Sequence, residues 1–226
     1  MHGDVSGTGR TGEFTAGVEP AVLVTWASGS ARNVADHLIR SVGLPAFGVA
    51  GDRVQVVNHC RECGSTGHGR LVLTGVPGDV TFHVNASYCP DVTLVAVTPA
   101  GAVGVDVERM DALSYYSVLD DVVQHPRERP TDDRSMALLW VRKESLLKAT
   151  GRGLTVDPRQ VQVATSEQCP ELLSWEADEP PDAPVWMFDV DVSPDHVASV
   201  TVLAAERPHL VVRRAAEAAS AHPATR

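Results

Sequence analysis

The sequence predicts an α+β fold, and two observations lead to that prediction. Short runs rich in Val, Leu and Thr alternate with a few segments of helical periodicity. A helix followed by several strands also occurs twice along the chain. The runs predicted as strands are residues 21–26, 54–57, 70–74, 80–84, 93–98, 103–108, 161–164, 185–192 and 196–204.

Two helices are predicted in the middle of the chain, at residues 113–123 and 133–149. Asp132 or Asp133 is suited to cap the start of the second helix, and Gly151 is suited to end it. An apolar stripe with helical period marks the face that this helix buries. Its members are Met136, Leu139, Trp140 and Leu147.

The chain has 226 residues, of which 43% are apolar, enough for the core of one large or two small domains. Residues 1–18 are rich in Gly, Ser and Thr, and residues 213–226 are rich in Ala, so both segments are predicted to be disordered tails. No apolar run approaches the roughly 20 residues that span a bilayer, and the polar start of the chain lacks a signal-peptide core. We therefore expect a cytoplasmic protein without membrane contact.

The formal net charge of the chain is −10 at pH 7. Proteins that bind nucleic acid hold its phosphates with clustered Lys and Arg, which this chain lacks. Nucleic acid is therefore not an expected partner.

The segment Gly104-Val-Asp-Val-Glu-Arg109 reads as a strand. Side chains two residues apart on a strand point to the same face, so Asp106 and Glu108 share one face. The tight turn predicted at Pro99-Ala-Gly101 suggests that this strand forms a hairpin with the preceding one.

The segment Trp140-Val-Arg-Lys-Glu-Ser-Leu-Leu-Lys148 lies in the second predicted helix. Its Glu144 and Lys148 are four residues apart and therefore share a helix face. If that face meets the strand of Asp106 and Glu108, three carboxylates come together. Magnesium prefers such hard oxygen ligands, and without a cation at least one of the carboxyl groups should have a raised pKa.

These two segments, together with Gly151-Arg-Gly-Leu154, resemble the 4'-phosphopantetheinyl transferase superfamily in its larger form, which activates peptide and polyketide synthases. The resemblance implies that fold, with two similar α/β halves related by a pseudo-twofold. The halves would cover residues 19–101, on the nucleotide side, and residues 102–212, with the metal and the catalytic helix. Direct sequence repetition between the halves is not convincing.

The resemblance also implies a reaction. Coenzyme A would bind between the halves, and a serine of an apo acyl or peptidyl carrier protein would attack its β-phosphorus, releasing 3',5'-adenosine diphosphate. Asp106, Glu108 and Glu144 would bind Mg²⁺, or alternatively Mn²⁺. Glu144 would also accept the serine proton, and Lys148 would neutralise charge on the transferred group.

The likeness extends upstream, where it implies a coenzyme A site. Residues 31–42 resemble the helix that carries an arginine for the 3'-phosphate, here Arg40. The segment His59-Cys-Arg-Glu-Cys-Gly-Ser-Thr-Gly-His-Gly-Arg70 resembles a stretch that approaches the adenosine diphosphate. The coenzyme-binding residues implied in this half are Arg40, His68, Gly69, Arg70, Asn85 and Ser87, with Lys148 from the other half.

Three departures weaken the nucleotide side of the likeness. Leu71 replaces the usual proline, and a basic helix normally found before residue 31 has no counterpart. Thr81-Phe-His-Val-Asn-Ala-Ser87 stands where the family has Phe-x-x-Ser-His-Ser, so Ala86 replaces a histidine that helps to bind the pyrophosphate. Two hypotheses follow: an active transferase for polyketide or nonribosomal peptide synthesis, or a repurposed, weakly active or inactive homologue that binds carrier domains.

Cys60, Cys63 and His68 match the first three ligands of a zinc knuckle. The fourth ligand is missing, because Leu73 occupies its position, and His59 or the distant Cys89 would have to replace it. The alternative is a pair of reduced thiols in a turn beside the nucleotide site.

A carrier protein is acidic, so docking one requires a local basic or apolar patch. The arginines near the active-site segments are candidates for this patch, and scattered solvated arginines are the equally plausible alternative. A chain with two halves can build the cleft alone, so a monomer is expected. The candidate arginines are Arg109, Arg127, Arg129, Arg134 and Arg142.

Overall fold

The computed structural model describes residues 21–60, 63–111, 120–165 and 169–215. The fold is mixed α+β with several sheets and few helices. The elements of the first part are β1 (Ala21–Ser28), α1 (Arg32–Leu38), β2 (Gln55–His59), β3 (Arg70–Thr74), β4 (His83–Cys89) and β5 (Val92–Thr98). Those of the second part are β6 (Ala102–Arg109), α2 (Asp120–Val123), α3 (Asp133–Thr150), β7 (Val161–Val163), β8 (Leu172–Trp175), β9 (Val185–Asp189), β10 (His196–Leu203) and β11 (His209–Arg214).

Two larger sheets form the centre of the fold. The first has the order β11-β1-β5-β4, and the second has the order β6-β10-β9. Two short hairpins, β2-β3 and β7-β8, flank them. The order strand, helix, hairpin and two strands therefore occurs in β1 to β5 and again in β6 to β10, where the short helix α2 precedes α3. In both cases the first strand pairs with the last, and the last pairs with the one before it.

One apolar core lies between the two sheets, and the alternation of side chains along each strand explains it. Leu94 and Ala96 of β5 pack in this core with Val105 and Val107 of β6. The intervening residues of β5, such as Val95, pack instead in a second cluster with α1. On the other sheet, α3 packs with β7 and β9 in a third cluster. The resulting layers are α1, first sheet, second sheet and α3.

Helix α3 begins and ends where the sequence predicts. Asp132 is the N-cap, and its side chain accepts a hydrogen bond from the Ser135 backbone nitrogen, 2.7 Å away. Gly151 ends the helix in the left-handed conformation with φ 76°, which glycine adopts without strain. Both cap predictions are confirmed, because each depends on local backbone chemistry alone.

The predicted hairpin between the strands around Pro99-Ala-Gly101 is wrong. The strand before the turn, β5, pairs with β1 and β4, whereas the strand after it, β6, pairs with β10. At the turn, Gly101 has φ 158° and a Cβ atom there would lie 2.0 Å from the Leu203 carbonyl oxygen. The turn is therefore a crossing between sheets, held tightly against the end of β10.

Several element boundaries also differ from the sequence prediction. Strand β4 begins at residue 83 rather than 80, and β8 lies where no strand was predicted. Residues 213 and 214, assigned to the disordered tail, complete β11. Of the helix predicted at 113–123, residues 113–119 lie outside the described part, as do residues 1–18 and most of the C-terminal tail. Within the described residues no helix is long and apolar enough to cross a membrane.

Candidate active site

Helix α3 lies directly on strand β6 at Gly104. A Cβ atom at this position would come within 2.1 Å of the Ser145 carbonyl oxygen and 2.5 Å of the Ala149 backbone nitrogen. Any side chain here would push the helix away from the strand. Asp106 lies two residues further on the same strand face, so it points toward the last turns of the helix.

The centre of the site is an ion pair between the strand and the helix. Lys148 Nζ lies 2.5 Å from Asp106 Oδ1, which also accepts a hydrogen bond of 2.7 Å from Ser87 Oγ on β4. The ammonium group is also 3.3 Å from the Val105 carbonyl oxygen. The Lys148 side chain is 27% exposed and the Asp106 side chain 5% exposed. The carboxylate is therefore buried, and the ammonium group lies between it and the solvent.

Glu144 approaches the same ammonium group from one helical turn away. Its Oε2 lies 4.0 Å from Lys148 Nζ. Burial raises the pKa of Glu144, the lysine opposes this shift, and the neighbouring Asp106 charge adds to it. Glu144 Oε1 and Asp106 Oδ2 are both buried and have no hydrogen-bond partner in the described part of the chain.

Glu108 completes the acidic group at the outer end of β6. Burial and the charge of Asp106 together raise the pKa of Glu108 to about 7, although a hydrogen bond with Trp140 works against the shift. A raised pKa among clustered carboxylates is what the sequence predicts for this group without a cation. The oxygens of the three carboxylates do not all lie within 4.8 Å of one another; two other groups among the described residues meet that limit.

The acidic group fits a divalent cation on the chemistry of its donors. Asp106 Oδ2 and Glu144 Oε1 are buried carboxylate oxygens without a bonded donor. Such orphaned anionic oxygens are costly unless a cation neutralises them, and hard cations prefer this donor type. Asp106 and Glu144 are therefore the residues that would hold the cation, with Glu108 adjacent.

A cavity of about 390 Å³ opens beside Lys148 and is lined by positively charged side chains. None of its lining residues is Asp or Glu, so it suits an anion such as phosphate. Asn85 and Ala86 of β4 line it as well. The charged members are Arg32 at the start of α1, Arg70 at the start of β3, Lys148, and Arg152 in the segment after α3.

A second cavity of about 500 Å³ adjoins the first, and Gly69, Arg70, Gly151 and Arg152 line both. Its outer wall contains Glu179 and Asp182, so the two cavities differ in charge. The two cavities therefore meet near the end of α3 and the start of β3. The cationic part lies nearest to Lys148.

Residues 102–201 match the family model of the 4'-phosphopantetheinyl transferase superfamily. This segment belongs to that superfamily. The matched residues include β6, α3 and β10, which carry or support Asp106, Glu108, Glu144 and Lys148. A search of curated proteins finds no match to the chain.

The superfamily resemblance assigns coenzyme binding to Arg40, but the structure does not bring Arg40 into either cavity. Its guanidinium donates to the carbonyl oxygens of Gly51 and Asp52, both at 2.9 Å. Gly51 packs so closely that a Cβ atom there would lie 2.0 Å from the Arg40 carbonyl oxygen. Arg40 therefore fastens the loop before β2, and its phosphate-binding role stays a prediction.

Asn85 and Ser87, also assigned to the coenzyme, contact strand β6. Asn85 Oδ1 accepts a hydrogen bond of 3.0 Å from the Val105 backbone nitrogen, although the residue also lines the cationic cavity. Ser87 is buried and donates to Asp106. Both side chains join β4 to β6, and of the two only Asn85 lines the cavity. The remaining assigned residues, His68, Gly69 and Arg70, line one or both cavities.

Arg142, a candidate for the carrier-docking patch or a solvated arginine, does not lie at the surface, and neither does its neighbour Lys143. Both side chains are fully buried. Arg142 makes a forked pair with Asp189, at 2.9 and 2.5 Å, and Lys143 lies 2.7 Å from Glu128 Oε2. The partners are 47 and 15 residues away in sequence, so no local pattern predicts the pairing.

Sequence reasoning missed Arg32 and Arg152 as cavity residues. Arg32 is the first residue of α1, and Nη1 donates 2.8 Å to Asn58 Oδ1 on β2, which holds its side chain across the cavity wall. Arg152 lies in the Gly-Arg-Gly-Leu segment that carries part of the resemblance, and Nη2 pairs with Glu179 at 2.7 Å. The position of Arg152 between two glycines just after α3 is the sequence feature that could have indicated a cavity residue.

Proposed function

We propose that this protein transfers 4'-phosphopantetheine from coenzyme A to a serine of an apo acyl or peptidyl carrier protein, with Mg²⁺ as the metal, in polyketide or nonribosomal peptide synthesis. One observation carries the proposal. Lys148 joins the buried acidic group and also lines the cationic cavity, so a phosphate in the cavity would meet the acidic group at this residue.

The cationic cavity would hold the phosphates of coenzyme A. Arg32 of α1, Arg70 of β3 and Arg152 just after α3 approach it from three separate parts of the chain. Guanidinium groups bind phosphate oxygens through paired N–H donors, which fixes orientation as well as charge. Holding the pyrophosphate in one orientation is the larger part of what phosphoryl transfer requires of a protein.

Asp106 and Glu144 would hold a divalent cation, and the chemistry it would supply is neutralisation of the pyrophosphate charge. Lys148 contributes a compact positive charge on the same side and holds Asp106 Oδ1 at 2.5 Å. Ser87 fixes the orientation of that carboxylate by donating to Oδ1. The other oxygen of Asp106, Oδ2, has no hydrogen-bond partner among the described residues and would be the one that binds the cation.

Glu144 would accept the proton of the attacking serine hydroxyl. The new bond joins the serine oxygen to the β-phosphorus, the bond to the leaving phosphate breaks, and 3',5'-adenosine diphosphate departs. Burial raises the pKa of Glu144, and a base with a pKa closer to neutrality takes up the proton more readily. Lys148, four residues away, stabilises the ionised form before transfer.

We further propose that residues 19–101 and 102–212 are two halves related by a pseudo-twofold axis. The repeated order of strand, helix, hairpin and two paired strands supports this proposal. Each half contributes to the site: Ser87, Arg32 and Arg70 come from the first, and Asp106, Glu144 and Lys148 from the second. A monomer would then be complete, and we expect it in the cytoplasm with the synthases.

Intact-mass spectrometry tests the activity directly. The protein is incubated with coenzyme A, magnesium and a panel of apo acyl and peptidyl carrier proteins, with a chelated, magnesium-free control. We expect a phosphopantetheine adduct that depends on the metal. The absence of an adduct on every carrier, from a well-folded protein, would contradict the proposal.

Two near-isosteric variants locate the chemistry. Asp106→Asn and Glu144→Gln should each lower the rate by about 100-fold or more, since each removes a charge used only in the site. Glu206→Gln changes the same functional group at an exposed position and should leave the rate unchanged. Full activity of either site variant would refute the assignment.

A repurposed carrier-binding homologue is the second candidate, and Ala86 favours it. This residue lines the cationic cavity, where the resemblance places a histidine. Alanine provides neither charge nor hydrogen bond to a pyrophosphate. This candidate predicts weak coenzyme A binding, so micromolar or tighter binding by calorimetry would exclude it.

A further inference from the structure

The loop between β2 and β3 brings two thiols and an imidazole together. The Sγ atoms of Cys60 and Cys63 and a ring nitrogen of His68 all lie within 4.8 Å of one another. Cys63 Sγ lies 3.4 Å from His68 Nε2. Neither cysteine is in a disulfide. The acidic site uses none of these residues.

The backbone of the loop holds this arrangement. The Cys60 nitrogen donates to the Ser65 carbonyl oxygen, and the Gly64 nitrogen donates to the Cys60 carbonyl oxygen, both at 2.9 Å. Gly64 has φ 70°, a left-handed conformation that suits glycine and turns the chain just after Cys63. The turn therefore returns the second thiol to the first.

We infer that Cys60, Cys63 and His68 bind one zinc ion. Zinc takes thiolate sulfur at about 2.3 Å and imidazole nitrogen at about 2.0–2.1 Å in tetrahedral geometry, which separates a sulfur ligand from a nitrogen ligand by about 3.6 Å. The observed separation of 3.4 Å between Cys63 Sγ and His68 Nε2 fits this value. Soft sulfur and borderline nitrogen donors also select zinc over magnesium.

The fourth position of the zinc faces the larger cavity. Cys60 and His68 line that cavity together with His59, so a water molecule or His59 has access to the metal. Cys89, the other candidate fourth ligand, lies on β4 in a group with Asp91 and His196. Its sulfur is therefore not part of the ligand group in the loop.

The group of Cys89, Asp91 and His196 is a second possible metal site, and the burial of its thiol makes it less suitable for zinc than the loop. Cys89 is buried and bonded to Asp91 Oδ1 at 3.6 Å and to the Val92 carbonyl oxygen at 3.8 Å. Burial raises the pKa of this thiol to about 11. A thiol must lose its proton to bind zinc, so this buried group is a poorer site than the loop, where Cys63 and His68 are exposed.

The zinc would determine how the loop presents its last two residues. Gly69 follows His68 directly, with φ 99°, and a Cβ atom there would lie 2.4 Å from the His59 carbonyl oxygen. Arg70 comes next and lines both cavities. This last step rests on the proposed function: the zinc would hold Arg70 in position to bind a phosphate, without itself touching the reacting atoms.

Metal analysis of the purified full chain tests this inference. The protein is expressed with added zinc, purified without chelator or metal-affinity resin, and assayed by inductively coupled plasma mass spectrometry. We expect about one zinc per chain. Cys63→Ser should lose it, whereas Cys169→Ser, an exposed cysteine outside the loop, should retain it. Asp106→Asn should also retain it, which separates this site from the acidic one.

Cobalt substitution provides a second measurement on the unaltered chain. A tetrahedral site with two thiolates should give intense cobalt absorption in the visible region and thiolate-to-cobalt charge transfer in the near ultraviolet. A wild-type protein without zinc or cobalt signal, a Cys60–Cys63 disulfide found by mass, or zinc retained by Cys63→Ser would overturn the inference. These results do not depend on transfer activity, so failure of the proposed function leaves them interpretable.

Discussion

Helix α3 carries two lysines whose carboxylate partners differ in how fully they are hydrogen-bonded. Lys143 donates to Glu128 Oε2, to the Val123 carbonyl oxygen at 2.7 Å and to the Pro158 carbonyl oxygen at 3.0 Å, so all three N–H groups are used. Glu128 is also satisfied, by the backbone nitrogens of His125 and Val163. At Lys148, by contrast, the paired carboxylates retain two buried oxygens without a donor.

The difference separates a structural ion pair from a site prepared for a ligand. A fully bonded buried pair holds elements in register, and removing one partner leaves an uncompensated charge. A pair with unsatisfied oxygens destabilises the folded state until a cation binds. Two lysines five positions apart on one helix therefore serve different purposes. Both carry a positive charge, and the hydrogen bonds of their partners distinguish them.

The largest expected effect is on the satisfied pair. Lys143→Ala should lower the free energy of unfolding by about 3–5 kcal/mol, because Glu128 loses its cationic partner while it stays buried. Urea denaturation monitored by circular dichroism measures it. Arg159→Ala, which removes an exposed pair with Asp157, should cost less than about 1 kcal/mol. A loss at Lys143 as small as this control would contradict the structural role.

The next contact to test is the close approach of Gly104 on β6 to helix α3. Gly104→Ala should lower the free energy of unfolding by about 2–3 kcal/mol, since the new methyl group meets the backbone of α3. The same urea experiment applies. Gly67→Ala adds a methyl group 3.5 Å from Ser65 Oγ, an ordinary contact, and should change stability little. Equal effects at the two glycines would show that the helix can move without cost.

Lys148→Ala should cost about 1–3 kcal/mol in divalent-free buffer, because Asp106 loses its partner. Magnesium should then raise the free energy of unfolding of this variant more than that of the wild type, since the ammonium no longer competes with the ion. For Lys143→Ala the increase should equal that of the wild type. An equal response in both variants would remove the distinction between the two lysines.

Glu108 offers a pH test of the unsatisfied group. Its folded pKa of about 7 lies above the ordinary value of 4.5, so the folded state holds the extra proton between these values. Stability should therefore fall as pH rises from 4.5 to 7, and Glu108→Gln should remove about 1–2 kcal/mol of this fall. Urea titrations across that range, in divalent-free buffer, measure the difference. Glu206→Gln should follow the wild-type curve.

The smallest expected effect concerns the cavity beside Lys148. Ala86→His should strengthen coenzyme A binding up to about tenfold, by adding a donor to a wall that already holds cations. Isothermal calorimetry measures it, with Ala86→Phe as a variant of similar size that lacks the donor. An equal gain with Phe would indicate packing, and no gain with His would indicate that the existing cations suffice.

The sequence predicted those features that depend on neighbouring residues. The caps of α3 at Asp132 and Gly151 depend on local backbone chemistry. The meeting of Asp106 with Glu144 and Lys148 followed from strand and helix periods together with the resemblance. The sheet crossing at Gly101 could not be predicted, because a short turn reads as a hairpin unless the pairing of β6 with β10 is known.

Long-range pairing also explains the errors among the basic residues. The sequence around Arg142 is compatible with a surface residue, and only the contact with the distant Asp189 explains its burial. Arg40 fits the expected helix position, yet the carbonyl oxygens of the adjacent loop occupy its guanidinium. Arg32 comes to the cavity because Asn58 on another strand holds it. In each case the deciding partner lies at least ten residues away.

Strand β11 pairs in parallel with β1, from Ala21 against His209 to Trp26 against Arg214. During synthesis on the ribosome, β1 emerges long before this partner. Until residue 214 has left the exit tunnel, one edge of β1 has unpaired backbone groups and is open to pairing with another chain. The first sheet is therefore the last to be completed, and a truncation before His209 would give a protein prone to aggregate rather than one merely shorter.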